Sequence, residues 1–201
     1  YKAGMVKSPS PPSPLSLLRA ELKKRKLDGF IVPRQDEFQG EYVADYAERL
    51  HWLSGFAGSW GVAIVLARKA AIFVDGRYTI QVRQQVNVKD FTPQDLLDEP
   101  PAKWIEANLN KGDRLGFDPW LTTAAEADRF AKACVAAGAR LVPVSSNPID
   151  AIWRDQPARP ATAIAVQPTQ FAGRSPAEKL KEISASLAKS KTDAVVLTLP
   201  D

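Results

Sequence analysis

Two apolar runs separated by four residues constrain the fold of this chain more than any other feature. The runs span residues 62–66 and 71–74, and the stretch between them is Ala-Arg-Lys-Ala, a pattern typical of a β-hairpin. Elsewhere, strand-like runs alternate with segments of helical periodicity. A hairpin among alternating strands and helices predicts an α/β fold, in which a mixed sheet is flanked by helices on both faces.

Local signals place the ends of several elements. Gly55 is expected to end a short helix that carries Leu50 and Leu53. Thr123 with Glu126 forms the Thr-x-x-Glu pattern of a capping box. The remaining predictions are helices at 15–26, 75–85, 101–109 and 147–153, and strands at 30–32, 86–91, 114–117 and 140–144.

The end of the chain repeats its beginning. At a constant offset, the helix-and-strand pattern that starts at Leu15 recurs from Leu180 and ends in a second strand-like run at residues 195–197. Ser175 with Glu178 gives this copy a capping box of its own. One helix and one strand leave an apolar face without a partner and are not independently stable. The repeat therefore predicts the truncated start of a second domain similar to the first.

These patterns divide the chain into three segments. Residues 1–14 are dominated by Ser and Pro, a composition that does not bury enough surface to order itself, so we expect a flexible leader. Residues 15–145 have roughly the length of a typical single domain. Residues 146–201 are expected to contain a linker, in which Pro157 and Pro160 end a short helix, and the incomplete start of the second domain.

Composition argues against several classes of protein. Lys and Arg number 27 against 23 Asp and Glu, and this near balance does not favour a nucleic acid partner, which usually needs a clustered basic stripe. No apolar run approaches the length of a membrane span, and the first residues lack the apolar stretch of a signal peptide. We therefore expect a cytoplasmic protein with no membrane partner. The lone Cys134 lies on the apolar side of a predicted helix and is interpreted as a core thiol rather than a nucleophile.

The sequence contains no recognisable catalytic centre. Metal sites need clustered His, Asp, Glu or Cys, whereas His51 is the one histidine of the chain, and we interpret it as a surface or half-buried residue. The glycine-rich stretch at 54–61 follows a helix and opens a strand, the reverse of a phosphate loop. A tight connection is favoured there, with a ligand loop as the alternative.

Arg77 is the one candidate site residue. It belongs to the segment Asp75-Gly76-Arg77-Tyr78, just after a predicted strand, where α/β sheets tend to place binding residues. Asp75 is expected to cap the next helix, and Gly76 to allow a close approach. Arg77 is interpreted either as a structural ion-pair partner of an acid, which the sequence alone favours, or as a binding residue for a peptide carbonyl or carboxylate.

Several segments together resemble the N-terminal domain of Xaa-Pro aminopeptidases, of the creatinase/prolidase type. The similarity runs over nearly all of residues 15–201 and points to the three-domain form of these enzymes. The segments that carry it are Arg-Leu-His-Trp-Leu-Ser-Gly-Phe-Ala-Gly-Ser at 49–59, Ala-Ile-Val at 63–65, Asp75-Gly76-Arg77-Tyr78 with Gln81, and Asn-Pro-Ile-Asp-Ala-Ile-Trp at 147–153, followed by Asp155, Pro157, Arg159 and Pro160.

The resemblance implies two related creatinase-like domains in front of a C-terminal catalytic domain that binds two divalent metal ions, usually manganese. The whole enzyme would remove an N-terminal residue that precedes proline, with all metal ligands in the catalytic domain. This portion would be inactive alone, would hold no cofactor, and would contribute to the substrate cleft and to assembly. Arg77 would reach bound peptide. The implied partners are a peptide with proline at its second position, the chain's own catalytic domain and a second copy in a homodimer.

The chain departs from the family pattern at two positions. Phe38 stands where the family commonly has His in the stretch 36–42, and Trp60 stands where a small residue is usual. The same fold also serves as an inactive peptide-binding part of a histone chaperone subunit. The alternative function is therefore a non-enzymatic creatinase-like module that binds a peptide or protein.

Overall fold

A mixed sheet forms the centre of the first of two structural units. The computed structural model describes residues 11–197, and the chain divides into units at residues 158 and 159. Within the described residues the sheet has six strands in the order β4-β3-β2-β1-β5-β6. The strands are β1 Gly29–Pro33, β2 Val62–Leu66, β3 Ala70–Val74, β4 Thr92–Asp95, β5 Arg114–Phe117 and β6 Arg140–Pro143.

The predicted hairpin is confirmed. Strand β2 pairs antiparallel with both β1 and β3, whereas the β1–β5, β5–β6 and β3–β4 pairs are parallel. Every strand except β2 therefore points the same way, and their carboxyl ends lie on one side of the sheet, here called the carboxyl edge. Binding residues of α/β sheets gather at such an edge.

Helices cover both faces of the sheet, as predicted. On one face Leu18, Phe30 and Ile72 belong to one buried cluster, and on the other Ile64 and Ile105 belong to a second. Because β2 and β3 are buried on both faces, they read as continuous apolar runs instead of alternating ones. The helices are α1 Pro14–Lys24, α2 Arg49–Ser54, α3 Gln81–Gln85, α4 Pro101–Asn108 and α5 Ala124–Ala136.

Two predicted helix ends are confirmed in the first unit, at Gly55 and at Thr123, and α1 has a side-chain cap as well. The Ser13 hydroxyl caps α1 by accepting a hydrogen bond from the Ser16 amide. Gly55 ends α2 with φ at 81°, a left-handed conformation that glycine adopts without strain. Thr123 and Glu126 form both hydrogen bonds of a capping box at the start of α5.

Two predictions between residues 75 and 95 are wrong. Helix α3 begins at Gln81 and not at Asp75, because the Asp75 carboxylate accepts the backbone N–H of Arg77 in a local turn. The strand expected at 86–91 lies instead at Thr92–Asp95. This polar strand is at the edge of the sheet. Pro93 has no N–H to donate and is tolerated there because an edge strand pairs on one side only.

The helix expected at 147–153 is also wrong. Only a single hydrogen-bonded turn forms there, in which the Ile149 carbonyl accepts the amides of Ile152 and Trp153. Pro148 and Pro157 stand close on either side of this turn. Ile149 is fully buried in the first unit, so the segment is held by packing and not by a longer helix.

The second unit is described for residues 159–197. It contains α6 Thr169–Ala172 and α7 Pro176–Lys189, and the capping box of Ser175 and Glu178 is confirmed. Residues 195–197 form no strand, contrary to prediction, because no other strand lies among the described residues of this unit to pair with them. Residues 1–10 of the expected leader lie outside the described residues. None of the described helices is long and apolar enough to cross a bilayer.

Candidate functional site

Arg77 lies in the loop that leaves β3 at the carboxyl edge. Its guanidinium pairs with the Asp75 carboxylate through two hydrogen bonds, from Nε to Oδ1 at 3.0 Å and from Nη2 to Oδ2 at 2.8 Å. The Arg77 backbone N–H donates to the same carboxylate at 2.9 Å. The turn therefore fixes both the backbone and the side chain of Arg77.

The aromatic ring of Tyr78 supports the same guanidinium. The Arg77 guanidinium carbon lies 5.0 Å from the ring centroid, within the range of a cation–π interaction. The Tyr78 hydroxyl shares a 2.7 Å hydrogen bond with the Ser59 hydroxyl, which lowers the pKa of Tyr78. The Tyr78 ring also packs against the Phe56 ring in an edge-to-face arrangement, with the ring centroids 5.6 Å apart. Tyr78, which supports the Arg77 guanidinium, is therefore itself held in place by Ser59 and Phe56.

The guanidinium of Arg77 keeps donors free despite its ion pair. Its side chain is 62% exposed, and its Nη1 group makes no hydrogen bond to any residue between 11 and 197. The hydrogen bond to Asp75, together with the charge of Glu41, raises the pKa of Arg77, while the pKa of Asp75 is lowered by the same bond. The pair leaves Nη1 available for a carbonyl or carboxylate.

Gly76 makes no close approach to any other part of residues 11–197. A Cβ added at this position would meet no atom within 4 Å. The sequence-based expectation for Gly76 is therefore wrong for the residues described.

The glycine-rich connection at 54–61 is a packing feature. A Cβ added to Gly58 would lie 2.3 Å from Phe56 Cζ, and one added to Gly61 would lie 2.9 Å from Phe56 Cε1. The two glycines therefore make room for the buried Phe56 ring. This supports the tight connection over the ligand loop.

The loop after β1 is anchored beside this site by Arg34. Its Nη1 donates to the carbonyls of Glu41 at 2.7 Å and Ser59 at 3.2 Å, and its Nη2 pairs with Glu48 at 3.0 Å. Phe38, in the same loop, is 66% exposed. The loop therefore presents an apolar side chain to the surface at position 38.

A buried polar cluster near the same edge could not be found from local sequence. Arg49 pairs with Asp150, and the Asn147 side chain donates to the Asp118 carboxylate at 2.9 Å. Asn147 also accepts the amide of Ile149 through its side-chain oxygen. The partners are far apart in sequence, so only the fold brings them together. The cluster holds the segment that follows β6 against the rest of the first unit.

The described residues do not fit a metal centre. No group of three or more His, Cys, Asp or Glu side chains between residues 11 and 197 is placed to hold a metal ion. His51 is exposed, with Nδ1 3.3 Å from the Phe56 carbonyl oxygen. Cys134 is buried in the core, as predicted, and burial raises its pKa to about 11.

Comparison with known sequence families gives two adjacent matches. Residues 14–152 match the sequence model of the creatinase/prolidase N-terminal domain. Residues 155–201 match a second model with the same description. The first match includes the single turn at Ile149, and the boundary between the two matches follows directly after it.

The chain is also similar to individual proteins. It is 38% identical over 187 residues to a probable Xaa-Pro aminopeptidase P of Arthroderma otae, covering 92% of this chain and 30% of that protein. The crystal structure of a Caenorhabditis elegans X-prolyl aminopeptidase, a cytosolic enzyme with a di-nuclear active site, superposes with a TM-score of 0.79 at 28% identity, covering 92% of this chain and 32% of that one. The N-terminal domain of Mycobacterium tuberculosis PepQ gives 0.52 at 25% identity, over 69% of this chain and 96% of that one. The chain thus spans about a third of the length of the first two relatives.

Proposed function

Because this chain belongs to the creatinase/prolidase N-terminal domain family, we propose that it is the non-catalytic N-terminal portion of a metal-dependent aminopeptidase that removes an N-terminal residue preceding proline. The observation that carries the proposal is the similarity to Xaa-Pro aminopeptidases over 92% of the chain. The rest of the protein would hold the catalytic domain, with two divalent metal ions, manganese in our proposal. Residues 15–145 would form the first creatinase-like domain and 146–201 the start of the second.

Arg77 would contact bound peptide in the complete enzyme. Its free Nη1 group lies at the carboxyl edge, where a carbonyl or carboxylate of the peptide would accept a hydrogen bond from it. Asp75 would act as a positioning residue, because its two carboxylate oxygens accept hydrogen bonds from the Arg77 guanidinium and fix its orientation. A planar fork held in this way loses little further entropy on binding a substrate.

Partners and location follow from the same proposal. The substrate would be a peptide with proline at its second position, and the first unit would contact the protein's own catalytic domain. We propose a homodimer and a cytoplasmic location, the latter supported by the cytosolic C. elegans relative.

The full-length protein provides the test. With manganese added, it should release the first residue from a tripeptide with proline in second place, and a matched tripeptide with alanine there should be hydrolysed far more slowly. Removal of metal by a chelator should abolish activity, and manganese should restore it. The 201-residue chain alone should show no turnover. A metal-loaded full-length protein that binds the proline peptide without cleaving it would favour the non-enzymatic binding module.

A further inference from the structure

A pocket opens at the carboxyl edge, and Arg77 is not among the residues that line it. It lies between the sheet and the N-terminal halves of α4 and α5 and has a volume of about 250 Å³. Pockets for drug-sized ligands occupy roughly 300–1,000 Å³, so this one suits a smaller molecule. We call it the α4–α5 pocket.

The walls of the α4–α5 pocket are apolar and well supported. Trp60, Val62, Leu96 and Phe130 line it, and Trp60, Val62 and Phe130 also pack against the core cluster on this face of the sheet. Consecutive prolines at the start of α4 form part of the rim, and proline rings have few conformations to lose on binding. Such a surface is preformed for an aliphatic or aromatic side chain.

Two opposite charges lie on one face of α5 at the mouth of the pocket. Arg129 lines it and forms no hydrogen bond or ion pair with any residue in the described part of the chain. Glu126 also lines it, and its Oε2 is occupied by the amide and hydroxyl of Thr123, whereas its Oε1 is not. Side chains three positions apart on a helix are neighbours, with Cβ atoms about 5–6 Å apart.

The remaining cation of the lining is already neutralised. Arg34 pairs with Glu48 and donates to two carbonyls, so it is a fixed part of the wall. The charges available to a ligand are therefore one free guanidinium and one half-occupied carboxylate.

We propose that the α4–α5 pocket binds a free α-amino acid with a large apolar side chain. The α-carboxylate would accept hydrogen bonds from Arg129, the α-ammonium would donate to Glu126 Oε1, and the side chain would enter the apolar wall. A simple apolar acid would place its carboxylate beside Glu126, and a simple amine would leave Arg129 unpaired. Only a zwitterion satisfies both charges.

Calorimetric titration of the 201-residue chain with L-leucine tests the proposal. L-Leucine should bind saturably at one site. N-acetyl-L-leucine and L-leucinamide should bind at least about tenfold more weakly, the scale of one lost charge-assisted contact. Glycine should also bind at least about tenfold more weakly, because it buries no apolar side chain. Glycine lacks the side chain, and the other two lack the ammonium and the carboxylate charge respectively. The readout is binding to this chain and not catalysis, so it is independent of the proposed aminopeptidase function.

Variants of α5 assign the contacts. Arg129→Gln should weaken L-leucine by at least about tenfold and leave the weak binding of L-leucinamide unchanged. Glu126→Gln should weaken L-leucine similarly while keeping the helix intact, because Gln also completes a capping box. The matched control is Lys132→Gln, on the same helix but paired with Asp128 and outside the lining, and it should bind like the wild type.

Three titration results would overturn the proposal. The first is the absence of saturable L-leucine binding up to about 10 mM. The second is binding of N-acetyl-L-leucine as tight as that of L-leucine, and the third is an Arg129→Gln variant that binds L-leucine like Lys132→Gln. Concentration-dependent dimerisation that Arg129→Gln abolishes would likewise overturn it, since a second copy would then be the occupant.

Discussion

Arg49 and Asp150, 101 positions apart in the chain, form a paired contact through Nε to Oδ1 at 2.7 Å and Nη2 to Oδ2 at 2.9 Å. The Arg49 side chain is only 6% exposed, and its Nη1 is buried without a hydrogen-bond partner among the described residues. Burial acts to lower the pKa of Arg49, but the bond to Asp150 and the charges of Asp150, Asp118 and Glu37 together raise it. Arg49 is thus a buried cation that depends on Asp150.

Loss of Asp150 should destabilise the first unit. Asp150→Ala would leave the buried guanidinium without its main acceptor, and we expect the free energy of unfolding to fall by about 1.5–3 kcal/mol. Asp128→Ala is the control, because the Asp128–Lys132 pair is at the surface and should cost less than about 1 kcal/mol. Urea unfolding measures the free energy of unfolding of both variants. Equal losses would show that the buried Arg49–Asp150 pair stabilises the chain no more than a surface ion pair does.

A side chain at Gly29 should not be tolerated. Gly29 begins the central strand β1, and an added Cβ would lie 2.4 Å from Leu66 Cδ2 and 2.9 Å from the Val65 carbonyl oxygen. Overpacking of this kind costs typically about 1–3 kcal/mol. Gly76→Ala is the matched change in open space and should alter stability by less than about 0.5 kcal/mol. A Gly29→Ala variant as stable as Gly76→Ala would contradict the packing of β1.

The thiol of Cys134 should react only when the chain unfolds. Burial raises its pKa to about 11, against about 8.5 for a free thiol, and the nucleophile is the thiolate. At pH 8, a thiol-specific reagent should therefore label the native chain at least about 100-fold more slowly than the urea-unfolded chain. Labelling of the native and the unfolded chain at similar rates would mean that the face of α5 that carries Cys134 is accessible to the reagent in the folded chain.

The same shift makes a contribution to stability that depends on pH. The unfolded chain loses the thiol proton first, so this contribution is complete below about pH 8.5 and declines as the pH rises toward 11. Cys134→Ala lacks the titrating group, so its stability should decline less over this interval. If the stability of the wild type and of Cys134→Ala declines equally over this interval, the decline is caused by titratable groups other than Cys134.

Local chemistry explains which parts of the fold were predictable. The hairpin, the Thr123 capping box and the Gly55 helix end each depend on residues close in sequence, and all three are confirmed. The apolar pattern misses strand β4 because its residues are polar and include Pro93, which an edge strand tolerates. The sequence pattern places a helix start at Asp75, because it does not show that the Asp75 carboxylate instead accepts the backbone N–H of Arg77.

Long-range contacts explain what was missed at the site. The Arg49–Asp150 pair and the Asn147–Asp118 bond join segments that no periodicity connects. The α4–α5 pocket is assembled from the ends of strands and the starts of helices distant in sequence. Arg77, by contrast, was identified because its motif is local, and its contact with bound peptide stays a prediction.

The role of Arg77 in the full-length enzyme tests this account most directly. Arg77→Ala should lower kcat/KM for a proline-containing peptide by at least about tenfold, with Arg77→Lys restoring only part of it because an ammonium lacks the planar fork. Arg83→Ala, which removes another exposed arginine near the same edge, should behave like the wild type. Thermal stability measured on the same preparations should be nearly unchanged for Arg77→Ala. If that variant instead melts earlier while its folded fraction keeps wild-type kcat/KM, Arg77 serves only to pair with Asp75 and does not contact substrate.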